Sequence, residues 1–228
     1  MKMHSLLALV VVGVLAPALH GKAPAVNPKF SNPTAITNKY LPLSELKVDI
    51  LEGVEDGKPL RVQRSVQPGT KEFTIDGQKV QALIMEDREW VNGELEEVAL
   101  DYFAQSDDGT VYYLGEDVDN YEKGKIVAHE GAWLYGKDTQ HLGTIIAANP
   151  KVSEKFSAEV APGITREDDI VESVNHTSSV PAGTFAGCIK IKETTSDGKT
   201  EYKDYAPGVG VVKEYGKDVD VTLRSHNK

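Results

Sequence analysis

The chain has 228 residues, 40% of them hydrophobic and 26% charged, with a formal net charge of -10 at pH 7. That acidic balance argues against nucleic acid and anionic membrane as partners, since both would repel it. A single cysteine excludes an internal disulfide, so the fold must rest on its core.

Residues 1–18 have the three parts of a signal peptide. Met1-Lys2 supplies the positive end, SLLALVVVGVLAPAL an uncharged apolar run, and Ala16-Pro17-Ala18 small residues at cleavage spacing. The run is short for a membrane span, and no cysteine near its end offers a lipidation site. The expectation is a periplasmic or extracellular protein, with no membrane span once the signal is removed. Cleavage before His20 would expose an N-terminal histidine able to bind copper, but Leu19 is a poor residue ahead of a cut. Residues 19–40 are rich in Pro, Asn and small side chains and read as an extended leader. Residues 41–228 read as a single β-rich domain.

Within that domain, short alternating runs follow one another. Residues 46–51, 61–66 and 79–85 read as strands, with Asp76-Gly77 turning between the last two. A charged run, Glu86-Asp87-Arg88-Glu89, leads through Trp90-Val91 to Asn92-Gly93, a strong hairpin signal. Beyond residue 135 come shorter runs at 144–148 and 155–160, then a segment through Ile170 and Val174. Residues 189–195 and 200–206 form a hairpin around Asp197-Gly198. Pro207-Gly208 turns into 211–215, 219–223 is a last strand, and the tail SHNK reads as loose. No window after the signal peptide shows helical periodicity. The fold class is therefore all-β: a curved antiparallel meander, open barrel or sandwich-like, with little helix.

The densest stretch is 98–135, VALDYFAQSDDGTVYYLGEDVDNYEKGKIVAHEGAWLY. Asp108-Gly109 and Lys123-Gly124 read as two-residue hairpin loops, which fixes a register. Asp101 then faces Glu116, which faces Gly131. Phe103 faces Leu114, which faces Trp133, and Gln105 faces Tyr112, which faces Tyr135. His129 lies opposite Val118, diagonal to Glu116, on the same face. A one-residue slip would scramble the set.

The blocks DYFAQSDDGTVYYLGED, EGAW, VPAGTFAGCIKIKETT and YAPGVGVVKE, in this order, resemble an exported bacterial family of β-rich proteins with no established activity. The resemblance covers roughly residues 98–215; the part before it matches only loosely, around NPKF and the first strand. It implies a curved antiparallel sheet wrapped around a pocket, and carries across no catalytic residue. Ala147-Ala148-Asn149 stands where the family pattern has a more acidic, proline-bearing loop.

Two constellations follow from the register. Asp101, Glu116 and His129 could ligate a divalent cation or act as an acid/base set, since opposed carboxylates need relief by water, a proton or a metal. Phe103, Tyr112, Trp133 and Tyr135 form an aromatic platform, either core or the lining of a ligand pocket. Asp117 and Glu130 share a row on the other face. Asp107-Asp108-Gly109 lacks the spacing of a calcium loop and reads as turn chemistry. Asn175-His176-Thr177 matches a glycosylation sequon by pattern alone. Cys188 is expected to be buried, although its parity places it with Lys190 and Lys192. No nucleophile elbow, zinc helix motif or phosphate loop is present.

Two functions from different classes lead, with a structural envelope component that binds no soluble ligand as a third. The first is an exported non-enzymatic binding protein, with the concave aromatic face taking a small or apolar ligand or an envelope partner. The second is a metal-binding protein or metal-assisted hydrolase using Asp101, Glu116 and His129 with a divalent cation.

Overall fold

The computed structural model of the protein describes residues 27–227, so the expected signal peptide at residues 1–18, His20 and the start of the expected leader lie outside the described residues. The first meander consists of β1 (Val48–Glu55), β2 (Lys58–Ile75), β3 (Gln78–Val91), β4 (Glu94–Gln105), β5 (Val111–Glu122) and β6 (Lys125–Ala128). Two short strands follow, β7 (Trp133–Leu134) and β8 (Gly143–Ile146). The second meander consists of β9 (Lys155–Ala161), β10 (Thr165–Val180), β11 (Gly183–Thr195), β12 (Thr200–Ala206), β13 (Gly210–Gly216) and β14 (Val219–Asn227).

Each meander pairs neighbour to neighbour, and β14 pairs antiparallel with β1, so the order is β6-β5-β4-β3-β2-β1-β14-β13-β12-β11-β10-β9. The all-β antiparallel meander is therefore what the chain forms. Its ends also curl towards one another. β8 pairs with β5, and a Cβ built on Gly143 of β8 would fall 1.9 Å from the carbonyl oxygen of Ala158 on β9. Only glycine allows that approach, which brings the two arms together around an interior.

The turn chemistry largely follows the sequence. Asn92 and Gly93 sit at φ 52° and 81°, the left-handed pair a two-residue hairpin needs. Asp76-Gly77 and Lys123-Gly124 do the same, and so does Asp56-Gly57, a turn the sequence reading passed over. The charged run of residues 86–89 is no boundary, because β3 continues straight through it. The tail is not loose either: β14 pairs with β1 as far as Asn227, and His226 Nδ1 lies 2.6 Å from Asp49 Oδ1.

The described part of the leader lacks strands but is firmly packed. Phe30, Ile36 and Tyr40 are buried, and a short 3-10 turn at Leu43–Glu45 places Leu43 in the core. Gln105 Oε1 accepts from the amides of Thr37 and Asn38, and Asn38 Nδ2 donates to the carbonyls of Gly109 and Ala147. Residues 36–46 thus close one end of the interior.

Three apolar clusters result. One, inside, joins Ile36, Leu43, Met85, Phe103, Tyr113, Trp133, Ile189 and Tyr205. A second joins Leu51, Val62, Cys188, Val212 and Leu223. The third lies on the other face of β2–β5, where Phe73, Val80, Tyr102 and Leu114 are covered by Phe30, Leu134 and Leu142.

Cys188 and its neighbour Ile189 are both 0% exposed yet belong to different clusters. Alternation puts these neighbours on opposite faces of β11, and both faces are covered there. Burial also pushes the thiol above its ordinary range. Cys188 should therefore react with a thiol reagent at least about a hundredfold more slowly in the native protein than in denaturant. Comparable rates in the two states would show the site to be open.

Candidate functional site

The interior holds a cavity of about 160 Å³. Strands of both meanders reach it, with Asp49 from β1, Arg64 from β2, Asp87 from β3, Asp101 and Phe103 from β4, and Tyr113 from β5. Glu159, Glu167, Lys203 and Tyr205 come from β9, β10 and β12, and Leu41, Leu43 and Leu46 form the lid. The site is half apolar and half ionisable.

Asp101 and Glu116 stand directly opposite one another, in the expected register. Their repulsion is relieved by protons. Burial, with Asp87 beside it, pushes Asp101 up to about 7 even though the Tyr113 hydroxyl donates to its Oδ1 at 2.7 Å. Burial, with Asp101 and Glu159 close by, pushes Glu116 up to about 9. At neutral pH the pair carries fewer than two charges.

His129 does not join them. Its side chain is 68% exposed, with Nδ1 2.8 Å from the Val118 carbonyl and 2.9 Å from Asp119 Oδ1. The register of the second hairpin shifts after Tyr121–Ile126, and the strand stops at Ala128. The chain then returns at Trp133, which rather than Gly131 lies opposite Glu116. The trio Asp101, Glu116 and His129 is therefore not a convergent set.

The aromatic platform is corrected by one residue. The first hairpin loop is longer than two residues: Ser106 N donates to the Thr110 carbonyl, and Gly109 N to that of Ser106. Phe103 consequently pairs with Tyr113, and a bulge in β5 restores the predicted pairing by Asp101–Glu116. Gly115, at φ 113°, lies within it, and a Cβ there would meet the Trp133 carbonyl oxygen at 2.1 Å. Between loop and bulge every side chain changes face. Phe103 stacks on Tyr113 at 4.9 Å, and Trp133 meets Tyr113 edge-on at 5.4 Å. Tyr112 and Tyr135 lie instead with the outer cluster, where Tyr112 contacts Phe30 at 5.7 Å.

Asp117 and Glu130 do not pair: Lys71 and the Tyr102 hydroxyl hold Asp117, and Glu130 is tied through its amide to Asn120. Asp108 does serve the turn, accepting from Ser106 Oγ and the Thr110 amide.

What the stretch 98–135 could not reveal is a belt of ionisable groups contributed by the rest of the chain. Arg64 Nε donates to Asp87 Oδ2 at 2.7 Å and lies 3.6 Å from Glu214. Lys203 lies 2.8 Å from Glu193 and 3.9 Å from Glu214. Burial would raise Glu214, but Lys203 and Arg64 outweigh it and hold that carboxyl low. Two cations cannot match the rest. Burial, with acidic neighbours, pushes Glu89 up to about 8, and it raises Glu159 as well. Glu159 accepts from Thr165 Oγ1 and Asp101 from Tyr113, and neither forms an ion pair among the described residues, Lys203 and Arg64 acting on them only from further off.

One signal for this belt did exist. On β11 the buried residues Ile189, Ile191 and Glu193 fall on alternate positions, and on β12 Lys203 shares a parity with Tyr205. A charge that continues an apolar face points inward. No protein-family model, curated protein or solved structure matches the chain.

Proposed function

We propose that the protein is an exported binding protein that holds a small ligand, with an apolar body and a cationic head, in the interior cavity. The cavity wall carries this reading: it joins the lid leucines, Phe103 and Tyr205 to Asp101 and Glu159, two carboxyls that form no ion pair among the described residues. Its volume, about 160 Å³, suits a single ring. An ammonium group placed at Asp101 would replace a proton that burial forces on the carboxyl, and the apolar wall would take the body. The charged start and apolar run of residues 1–18 support export.

Melting curves with a cyclic amine and with a neutral hydrocarbon of the same shape test this. At a hundred times its dissociation constant the amine stabilises the fold by about 2.7 kcal/mol and raises the melting point by roughly 5 °C or more. The hydrocarbon should do much less, and Asp101→Asn should abolish the difference. Equal responses to both compounds, or none to either, would dismiss the reading.

A further inference from the structure

A second group of carboxyls stands on the opposite arm from Asp101 and Glu116. Glu167 and Asp169 are two apart on β10, on one face, and Asp169 pairs across the ladder with Glu193 of β11. One carboxylate oxygen from each comes within 4.8 Å of the other two. Like charges directly opposed in a sheet are destabilising, so this group needs something further to hold it.

Asp169 makes the need specific. It is 5% exposed, and its Oδ1 is buried with no hydrogen-bond partner. Glu193 has Lys203 at 2.8 Å, but no ion pair reaches Glu167 or Asp169 among the described residues. One ammonium faces three carboxyls, and burial with Glu167 and Glu193 beside it pushes Asp169 up to about 10, so the group holds a proton where it has no cation. A buried acceptor with nothing to accept from, on a carboxyl grouped with two others, is what a ligand set requires.

We propose that Glu167, Asp169 and Glu193 form a site for one hard divalent cation, Ca2+ by size. The donors are all oxygen, which selects against softer metals. Ca2+ holds its oxygens at about 2.3–2.6 Å, so donors on opposite sides of it stand about 5 Å apart. Mg2+ would need a set near 4 Å across. Three donors within 4.8 Å of one another can share one ion, and the adaptable shell of Ca2+ accepts an irregular set where Mg2+ demands a near-ideal octahedron. Glu167 also lines the interior cavity, which gives the ion a path in and room for the waters that complete its shell. The site shares no residue with Asp101, Glu116 and His129, and it does not require a ligand in the cavity.

The test uses the whole purified protein, stripped with a chelator and titrated with Ca2+ in a calorimeter and in melting experiments. One ion per chain should bind, and about 10 mM Ca2+ should raise the melting point by roughly 5 °C, given the millimolar-or-better affinities of extracellular calcium sites. Asp169→Asn keeps the shape, removes one charge and should abolish both the heat and the shift. Glu167→Gln, at a half-buried position, is the second variant should the first fail to fold, and it should weaken binding at least tenfold. Asp117→Asn, on the other face of the first meander, should bind as the wild type does. A wild type that neither binds Ca2+ nor shifts overturns the proposal, and so does undiminished binding in both site variants.

Discussion

Raising the pH from about 5 to about 9 should lower the melting temperature steadily, by about 10 °C or more. The cause is the interior carboxyls. Burial, together with acidic neighbours, pushes Asp101 up to about 7, Glu89 to about 8 and Glu116 to about 9. In the unfolded chain these groups lose their protons near their ordinary values of about 4–4.5. Between that range and their native values the folded protein holds protons that the unfolded chain has released. Stability therefore falls as pH rises through the window and levels off above it. Each unit of upward shift is worth about 1.4 kcal/mol, so even a third of these shifts would remove roughly 5 kcal/mol. The measurement belongs in excess chelator, so that no cation masks the carboxyls. Glu116→Gln should flatten the upper half of the curve. A melting point that rises between these pH values, or stays level, would show that the interior carboxyls are ionised and solvated.

The second large effect is expected at Arg64. Its side chain is 17% exposed and bridges Asp87 at 2.7 Å and Glu214 at 3.6 Å. Arg64→Met keeps most of the apolar stem but leaves both carboxyls without this cation. Breaking a buried ion pair by removing one partner costs about 3–5 kcal/mol, because the surviving charge has lost its compensation. Equilibrium unfolding in urea should show that loss at pH 8 and a smaller one at pH 5, where Asp87, already raised by burial, takes up a proton more readily. Adding Asp87→Asn to Arg64→Met should restore part of the stability. If the single variant loses less than about 1 kcal/mol at either pH, the arginine is only a surface charge.

Most of the fold was legible because its signals are local. Asn92-Gly93 and Lys123-Gly124 needed only their own dihedral preferences to turn the chain, and the hairpins they close fixed which strands are neighbours. The Asp101–Glu116 pairing came out as expected only because the bulge at Gly115 cancels the extra length of the loop after Gln105. The aromatic face was not legible. One extra residue around Gly115 exchanges Tyr112 for Tyr113, and that bulge exists because Gly115 must pass close to the Trp133 carbonyl, a partner eighteen positions away. The ionisable belt was harder still. Arg64, Lys203 and Glu214 meet only because two meanders close on each other, and no window of sequence contains that closure. His129 was misplaced because regular pairing was extended past Ala128, where the strand ends.

The pairing of β1 with β14 has a consequence for how the chain assembles. Nearly every other contact in the sheet joins strands adjacent in sequence, so each arm can zip up from its own hairpins. The seam between the arms joins Asp49 to His226, across 177 positions. Closing so long a loop early carries a large entropic penalty, and contacts of this separation slow folding. The two arms should therefore form first and dock last, through the pairing of β14 with β1. Until His226 emerges from the ribosome the belt of interior carboxyls stays open to water, and its acids remain ordinary acids.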